Sequence, residues 1–312
     1  MEPQAPLIWI LTSGRRGDVV QCRAIAEQVS NTIIEKILNP RAPYRWLAPF
    51  GPIDPKDNSL ITPPYPDLII ASSRHSVPYV KAIQKASNGK CRAIFMKYPG
   101  CDVTSLGLTW IPAHDKREGP NIINTLTSPH LVTPEKLAEH KANIDPRIKA
   151  LPGPRLGIIL GGNTKHMSFD EASISAFCKP LKTDLPFASM LVTGSRRTPN
   201  SLLEAVKATI APRPAFIFDG TGDNPYFNIL ANSDALLVTG DSHNMVSEAL
   251  ASGKQVYVFT PPKIPSKFQW TLSKLEEKGS IKPHHAPLIA GNGQTLDATP
   301  EIISKIRHYF EQ

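Results

Sequence analysis

Short apolar runs bounded by turn residues recur along the chain, and most are followed by a segment whose apolar positions return with helical spacing. In the first half, Leu7 to Thr12, Asp67 to Ser72, Cys91 to Met96 and Thr109 to Pro112 predict strands, with helices over Val19 to Val29 and Val77 to Ala86. The pattern lapses between Asn39 and Pro66, where proline-rich sequence with few apolar pairs predicts a loop or irregular insert. It breaks again from Asp145-Pro146 through Leu151-Pro152-Gly153-Pro154, the most linker-like segment. Beyond that break, strands are predicted over Arg155 to Leu160, Phe187 to Thr193, Ala215 to Asp219, Ala235 to Thr239 and Gln255 to Phe259. Helices fit at Phe169 to Cys178, Ser201 to Ile210, Pro225 to Ala231, Ser242 to Ala251 and Phe268 to Lys278. Ile302 to Phe310 reads as one more helix, started by Thr299-Pro300-Glu301.

Strand followed by helix is the signature of a parallel sheet, and two successive blocks of it predict an α/β chain with two Rossmann-like, doubly wound domains, 1–150 and 151–298. Such sheets hold ligands at the carboxyl ends of their strands, so two facing edges are expected to form a cleft. A length of 312 residues agrees, because it exceeds what one core usually organises. The net charge of +8 favours phosphates or anionic lipid as partners. Lys and Arg are scattered, without a basic stripe interleaved with aromatics, so nucleic acid is not expected as a partner. Cys22, Cys91, Cys101 and Cys178 lie far apart and read as reduced thiols of a cytoplasmic protein. The apolar run Leu7 to Leu11 is too short for a secretory signal, and no stretch approaches the roughly 20 apolar residues of a membrane span. Any membrane contact is therefore expected to be peripheral, at an anionic cytoplasmic face.

Four turns carry candidate chemistry. Thr12-Ser13-Gly14-Arg15-Arg16-Gly17-Asp18 joins a strand to a helix, where small residues and a helix amino end suit an anion, although, taken alone, a tight strand-to-helix turn explains the two glycines better. Gly161-Gly162-Asn163-Thr164-Lys165 repeats that arrangement in the second half but lacks the Gly-Lys-Ser/Thr ending of an ATPase loop. Thr193-Gly194-Ser195-Arg196-Arg197-Thr198-Pro199 offers paired guanidinium donors suited to phosphate oxygens, or else a solvated basic turn. Thr239-Gly240-Asp241-Ser242-His243-Asn244-Met245-Val246-Ser247-Glu248 runs into a helix that Asp241 or Ser242 can cap, with Glu248 placed for ribose hydroxyls or simply for solvent. There is no Gly-x-Ser-x-Gly, no His-Glu-x-x-His and no Asp-x-Asp, and His284-His285 reads as an exposed pair, so no metal site and no required cofactor are expected.

In order along the chain, Trp9-Ile10-Leu11-Thr12-Ser13-Gly14 with Gly17 and Gln21, Gly161-Gly162-Asn163, Ser195-Arg196-Arg197-Thr198-Pro199, Asn224-Pro225-Tyr226 and Asp241-Ser242 with Met245-Val246-Ser247-Glu248-Ala249 resemble the elongated-mitochondria family. That family groups plant mitochondrial-fission proteins with bacterial relatives of glycosyltransferase-like type. The resemblance implies a GT-B arrangement, with the donor nucleotide held mainly by the second domain and a final helix, 299–312, crossing back to the first. It places Glu248 on ribose and Ser242, Met245, Ser247, Ser195, Arg196 and Arg197 around a diphosphate, with Gly162, Asn163, Asn224 and Tyr226 in the same site. Gly14, Gly17 and Asp18 then face the acceptor or the donor phosphates. The proline-rich stretch before Pro66 has no counterpart in that pattern.

The activity so implied is sugar transfer from a nucleotide-diphosphate donor to an acceptor hydroxyl, with cell-envelope glycan assembly as one setting. Arg196, Arg197 and the helix beginning near Ser242 would stabilise the leaving diphosphate. Asp18 is the first candidate for acceptor base, followed by His75 and Asp115. Two other readings stand beside this one: a non-catalytic interaction protein that keeps the fold, and, more weakly, a nucleotide-sugar epimerase.

Overall fold

The computed structural model describes residues 5–102, 104–165 and 167–311. Contacts divide the chain into one unit that ends at Leu131 and resumes at Ala298, and a second from Val132 to Asp297. No helix among the described residues is long and apolar enough to cross a membrane.

In the N-terminal unit, β1 (Ile8–Thr12) leads through α1 (Arg16–Val29) to β2 (Ile33–Ile37). The proline-rich stretch holds the short α2 (Tyr44–Leu47) and a 3-10 segment (Pro55–Ile61). Then come β3 (Leu68–Ser72), α3 (Val77–Ala86), β4 (Arg92–Met96), β5 (Leu108–Pro112) and β6 (Ile122–Thr125). All six strands are parallel, in the order β2-β1-β3-β4-β5-β6. Alternate residues of the central strands enter opposite cores. Ile8, Ile10, Ile70 and Ile94 pack with Cys22, Ile25 and Ala26 of α1, whereas Trp9, Leu11, Ile69 and Phe95 pack with Tyr79, Val80 and Ile83 of α3. Burial on both faces is why these strands read as unbroken apolar runs.

The second unit opens with α4 (Pro134–Ala142) and α5 (Pro146–Lys149), then β7 (Arg155–Leu160), α6 (Glu171–Cys178), β8 (Ser189–Gly194), α7 (Asn200–Ile210) and β9 (Ala215–Ile217). It continues through α8 (Tyr226–Asn232), β10 (Ala235–Thr239), α9 (His243–Ala251), β11 (Gln255–Phe259), α10 (Ser266–Glu277) and the two-residue β12 (Lys282–Pro283). This sheet is also parallel, in the order β12-β11-β10-β7-β8-β9. The unit begins at Val132 rather than near residue 150, because α4 packs on α8. His140 Nδ1 lies 2.9 Å from Asn228 Nδ2, and Asn232 Nδ2 donates to the His140 carbonyl at 3.2 Å. The segment that looked like a linker forms α5 instead, and its Ile148 is buried with Leu191 and Ile229.

The chain ends in α11 (Thr299–Glu311), whose Ile302, Ile303 and Ile306 are buried in the N-terminal core beside Ile25 and Trp110. The winding of each sheet reverses at one place, between β1 and β3 in the first unit and between β7 and β10 in the second. At such a switch point the two flanking crossovers lie on opposite faces and leave a crevice beyond the strand ends.

Candidate functional site

At the second switch point the carboxyl ends of β7, β8 and β10 are laced together around Asp241, which is 4% exposed. Asp241 accepts hydrogen bonds from Thr239 Oγ1 (2.6 Å) and from the Gly162 amide (3.0 Å), and the Gly161 amide donates to Thr239 Oγ1 (2.7 Å). Burial is the main influence on this carboxyl and pushes its pKa up, against those hydrogen bonds and the nearby Arg197 charge. The glycine pair is a steric requirement. A Cβ at 161 would sit 2.0 Å from Asp241 Oδ1, and one at 162 would sit 2.1 Å from the Arg197 carbonyl carbon. The turn after β8 closes on the same loop: the Ser195 amide donates to the Leu160 carbonyl (3.0 Å) and to Thr198 Oγ1 (2.7 Å), and the Arg197 amide donates to Ser195 Oγ (3.2 Å).

This lacing changes the roles expected of Gly162 and Asn163. The Gly162 amide is taken by Asp241, the Asn163 amide by the Arg197 carbonyl at 3.0 Å, and Asn163 Oδ1 accepts from the Phe169 amide at 2.9 Å. All three backbone amides of residues 161–163 are thus bonded within the protein. Arg196 and Arg197 are exposed, and no hydrogen bond or ion pair engages either guanidinium among the described residues.

Ser242 caps α9 through its hydroxyl, which accepts from the Met245 amide at 3.4 Å. Met245 is partly buried. Ser247 is 1% exposed and donates its hydroxyl proton to the His243 carbonyl at 2.8 Å. Glu248 accepts a 2.6 Å hydrogen bond from the Tyr226 hydroxyl. Burial, aided by the Glu248 charge, raises the Tyr226 pKa and keeps the phenol a donor. Asn224 Oδ1 accepts from the Tyr226 amide at 3.1 Å and so starts α8. Asn224, Tyr226 and Glu248 thus form one assembly that orients a carboxylate.

In the N-terminal unit, Gly14 follows β1 with φ +76°, and its amide donates to Thr12 Oγ1 at 3.1 Å. Gly17 is not a loop residue; it lies in the first turn of α1. Asp18, in the same turn, accepts from Lys97 Nζ at 2.8 Å. Lys97 follows β4 with φ +75° and Ser73 follows β3 with φ +83°, left-handed values rare outside glycine that cost about 1–3 kcal/mol each. The Ser13 and Ser73 hydroxyls at this edge are buried without a hydrogen-bond partner among the described residues. Ser73 and Lys97 were not legible as site residues, since their types do not demand positive φ. His75 lies in a 3-10 turn, Arg74–Ser76, and bonds to the Arg45 backbone. Burial first, then the charges of Arg74, Arg45 and Arg15, hold its pKa below the usual imidazole value. Asp115 follows β5, two strands from β3, with its Oδ1 3.7 Å from His114 Nε2. The structure therefore gathers Gly14, Asp18 and His75 at the β1/β3 edge and leaves Asp115 apart.

Two parallel six-stranded sheets with flanking helices, each ending in polar turns at its switch point, define a GT-B-like fold. Solved structures agree on the fold. A candidate UDP-N-acetylglucosamine 2-epimerase from Listeria monocytogenes superposes with TM-score 0.53 at 12% identity, over 99% of this chain and 89% of that one. The HepE protein of Anabaena, solved in complex with UDP-glucose, gives 0.50 at 11% identity, over 98% and 99%. Residues 16–310 match the model of the mitochondrial fission ELM1 family, and the chain belongs to that family. Its relatives include an uncharacterised protein of Rickettsia prowazekii, 26% identical over 82% of this chain, and the mitochondrial fission protein ELM1 of Arabidopsis thaliana, 22% identical over 70%. The chain spans 66% and 57% of the lengths of those two proteins.

Proposed function

We propose that the chain binds a nucleotide-diphosphate sugar through its second unit and transfers the sugar to an acceptor hydroxyl. The observation that carries this reading is the meeting of three strand ends at the β7/β10 switch point, beside two unengaged arginines and an oriented carboxylate. Arg196 and Arg197 supply charge-assisted donors for the diphosphate, and the amino end of α9, capped by Ser242, adds its dipole. Glu248, held by Tyr226, accepts from ribose hydroxyls. In the transfer, the acceptor oxygen bonds to the anomeric carbon as the bond from that carbon to the phosphate oxygen breaks, and the diphosphate leaves with the electron pair. Asp18 of the N-terminal unit, held by Lys97, is the carboxylate proposed as acceptor base. The solved HepE complex with UDP-glucose supports the ligand class by likeness of fold alone.

A non-catalytic reading draws on one observation, that the amides of residues 161–163 are engaged within the protein. Thermal-shift titration separates the two. Uridine, guanosine and adenosine diphosphates are each added, and at least one is expected to raise the melting temperature, since a ligand held only by the native state stabilises it. At about 100-fold excess over Kd the gain is about 2.7 kcal/mol. The shift should vanish in Arg196→Ala/Arg197→Ala and survive in Asp18→Ala, which should lose turnover alone. No shift with any diphosphate would leave the interaction-protein reading standing.

A further inference from the structure

The proline-rich stretch carries Trp46 (70% exposed), Phe50 (79%) and Leu47 (50%), the densest group of exposed large apolar side chains among the described residues. Solvent should drive such groups inward, yet this loop is braced to hold them out. Asp54, fully buried, accepts hydrogen bonds from the Arg41 amide (2.8 Å), Arg41 Nε (3.0 Å), Arg41 Nη2 (2.6 Å) and the Lys56 amide (3.1 Å), clasping the two ends of the loop. At its tip the amides of Phe50 and Gly51 both donate to the Leu47 carbonyl, at 3.0 and 2.9 Å. A Cβ at Gly51 would lie 2.4 Å from Leu47 Cβ, so the tight turn that presents Phe50 requires glycine.

Within the loop itself the exposed charges have one sign. Between Lys36 and Pro66 the carboxylates are Asp54 and Asp57, both buried, whereas Arg41, Arg45 and Lys56 are exposed. The Arg45 backbone bonds to His75, and Arg15, Arg45 and Arg74 all lie close enough to His75 for their charges to bear on it, which adds two further cations to the rim. A protein partner would have to bring a matching acidic patch arranged around an apolar pocket. An anionic bilayer instead asks for Trp, Phe and Leu at the interfacial layer and for cations alone around them.

We propose that residues 41–50 form a membrane-docking loop, in which Trp46, Leu47 and Phe50 enter the interfacial layer of an anionic bilayer while Arg45, Arg15 and Arg74 meet lipid phosphates. The inference does not rest on the nucleotide reading, and its test uses no nucleotide. The full chain is co-sedimented with vesicles of phosphatidylglycerol and phosphatidylcholine in equal parts, and with phosphatidylcholine alone. Binding is expected only to the anionic vesicles and should weaken as salt is raised. Trp46→Ser/Phe50→Ser and Arg45→Glu should each reduce the partition at least tenfold with an unchanged melting temperature. Ile289→Ser, which removes a half-exposed apolar side chain of the other unit, should leave it unchanged. A wild-type chain that stays in the supernatant overturns the proposal, as does equal binding to neutral vesicles or undiminished binding by Arg45→Glu. A wild-type dimer that Trp46→Ser/Phe50→Ser converts to monomer, with vesicle binding retained, assigns the loop to a second copy instead. If the double variant does not fold, Arg45→Glu and the lipid dependence decide the matter.

Discussion

Replacing Gly162 by alanine is expected to lower the unfolding free energy by about 2–3 kcal/mol, the upper range for overpacking a closed interior. The added Cβ would meet the Arg197 carbonyl carbon and oxygen at 2.1 Å and the Thr198 amide nitrogen at 2.5 Å, all backbone atoms. These atoms cannot retreat easily, because Thr198 Oγ1 accepts from the Ser195 amide and donates to the Gly161 carbonyl, tying the turn to the loop it faces. Displacing the loop would also pull the Gly162 amide from Asp241 and leave a buried donor orphaned. Gly291→Ala is the control: nothing lies within 4 Å of the place its methyl group would take, and a change within about 0.5 kcal/mol is expected. Urea unfolding measures both, and equal stability of the two variants would mean that the strand ends are not tied together.

Asp241→Ala is expected to cost about 1–3 kcal/mol for each donor it orphans, the Gly162 amide first and the Thr239 hydroxyl second. The pH dependence of this loss has a definite sign. Burial raises the Asp241 pKa above its ordinary 3.8, so between that value and the folded one the native state holds more protons than the unfolded chain. The stability contributed by Asp241 is then fully present below the ordinary value and declines as pH rises through the folded one. The gap between wild type and Asp241→Ala should therefore be widest in acid and narrow upward. A gap that widens with pH would show instead that the helix amino end and Arg197 hold the carboxylate ionised.

The central strands β1, β3, β4, β7, β10 and β11 were legible because burial on both faces writes them as continuous apolar runs. β2 and β6 were not, since edge position leaves Glu35, Lys36 and Asn124 within them, and two-residue β12 offers no pattern at all. α4 escaped because none of its residues is buried; His140 and the backbone, not an apolar stripe, join it to α8. Among site residues, glycine turns at strand ends could be read, but not what fills them. The bond between Gly162 and Asp241 and the Asp18–Lys97 pair each join residues 79 apart. Local spacing is blind to such partners, so the internal bonds that Gly162, Asn163 and Ser247 make could not be foreseen.

The placement of α11 bears on how the polypeptide matures during synthesis. Ile302, Ile303 and Ile306 seal the core that α1 and β1 begin, so the first-made half leaves the ribosome with that apolar surface uncovered. Residues 132–297 hold their own core and can complete it earlier. On chains released after truncation at Asp297, protease should spare the later-made half and cut the earlier one, reversing the usual vectorial order.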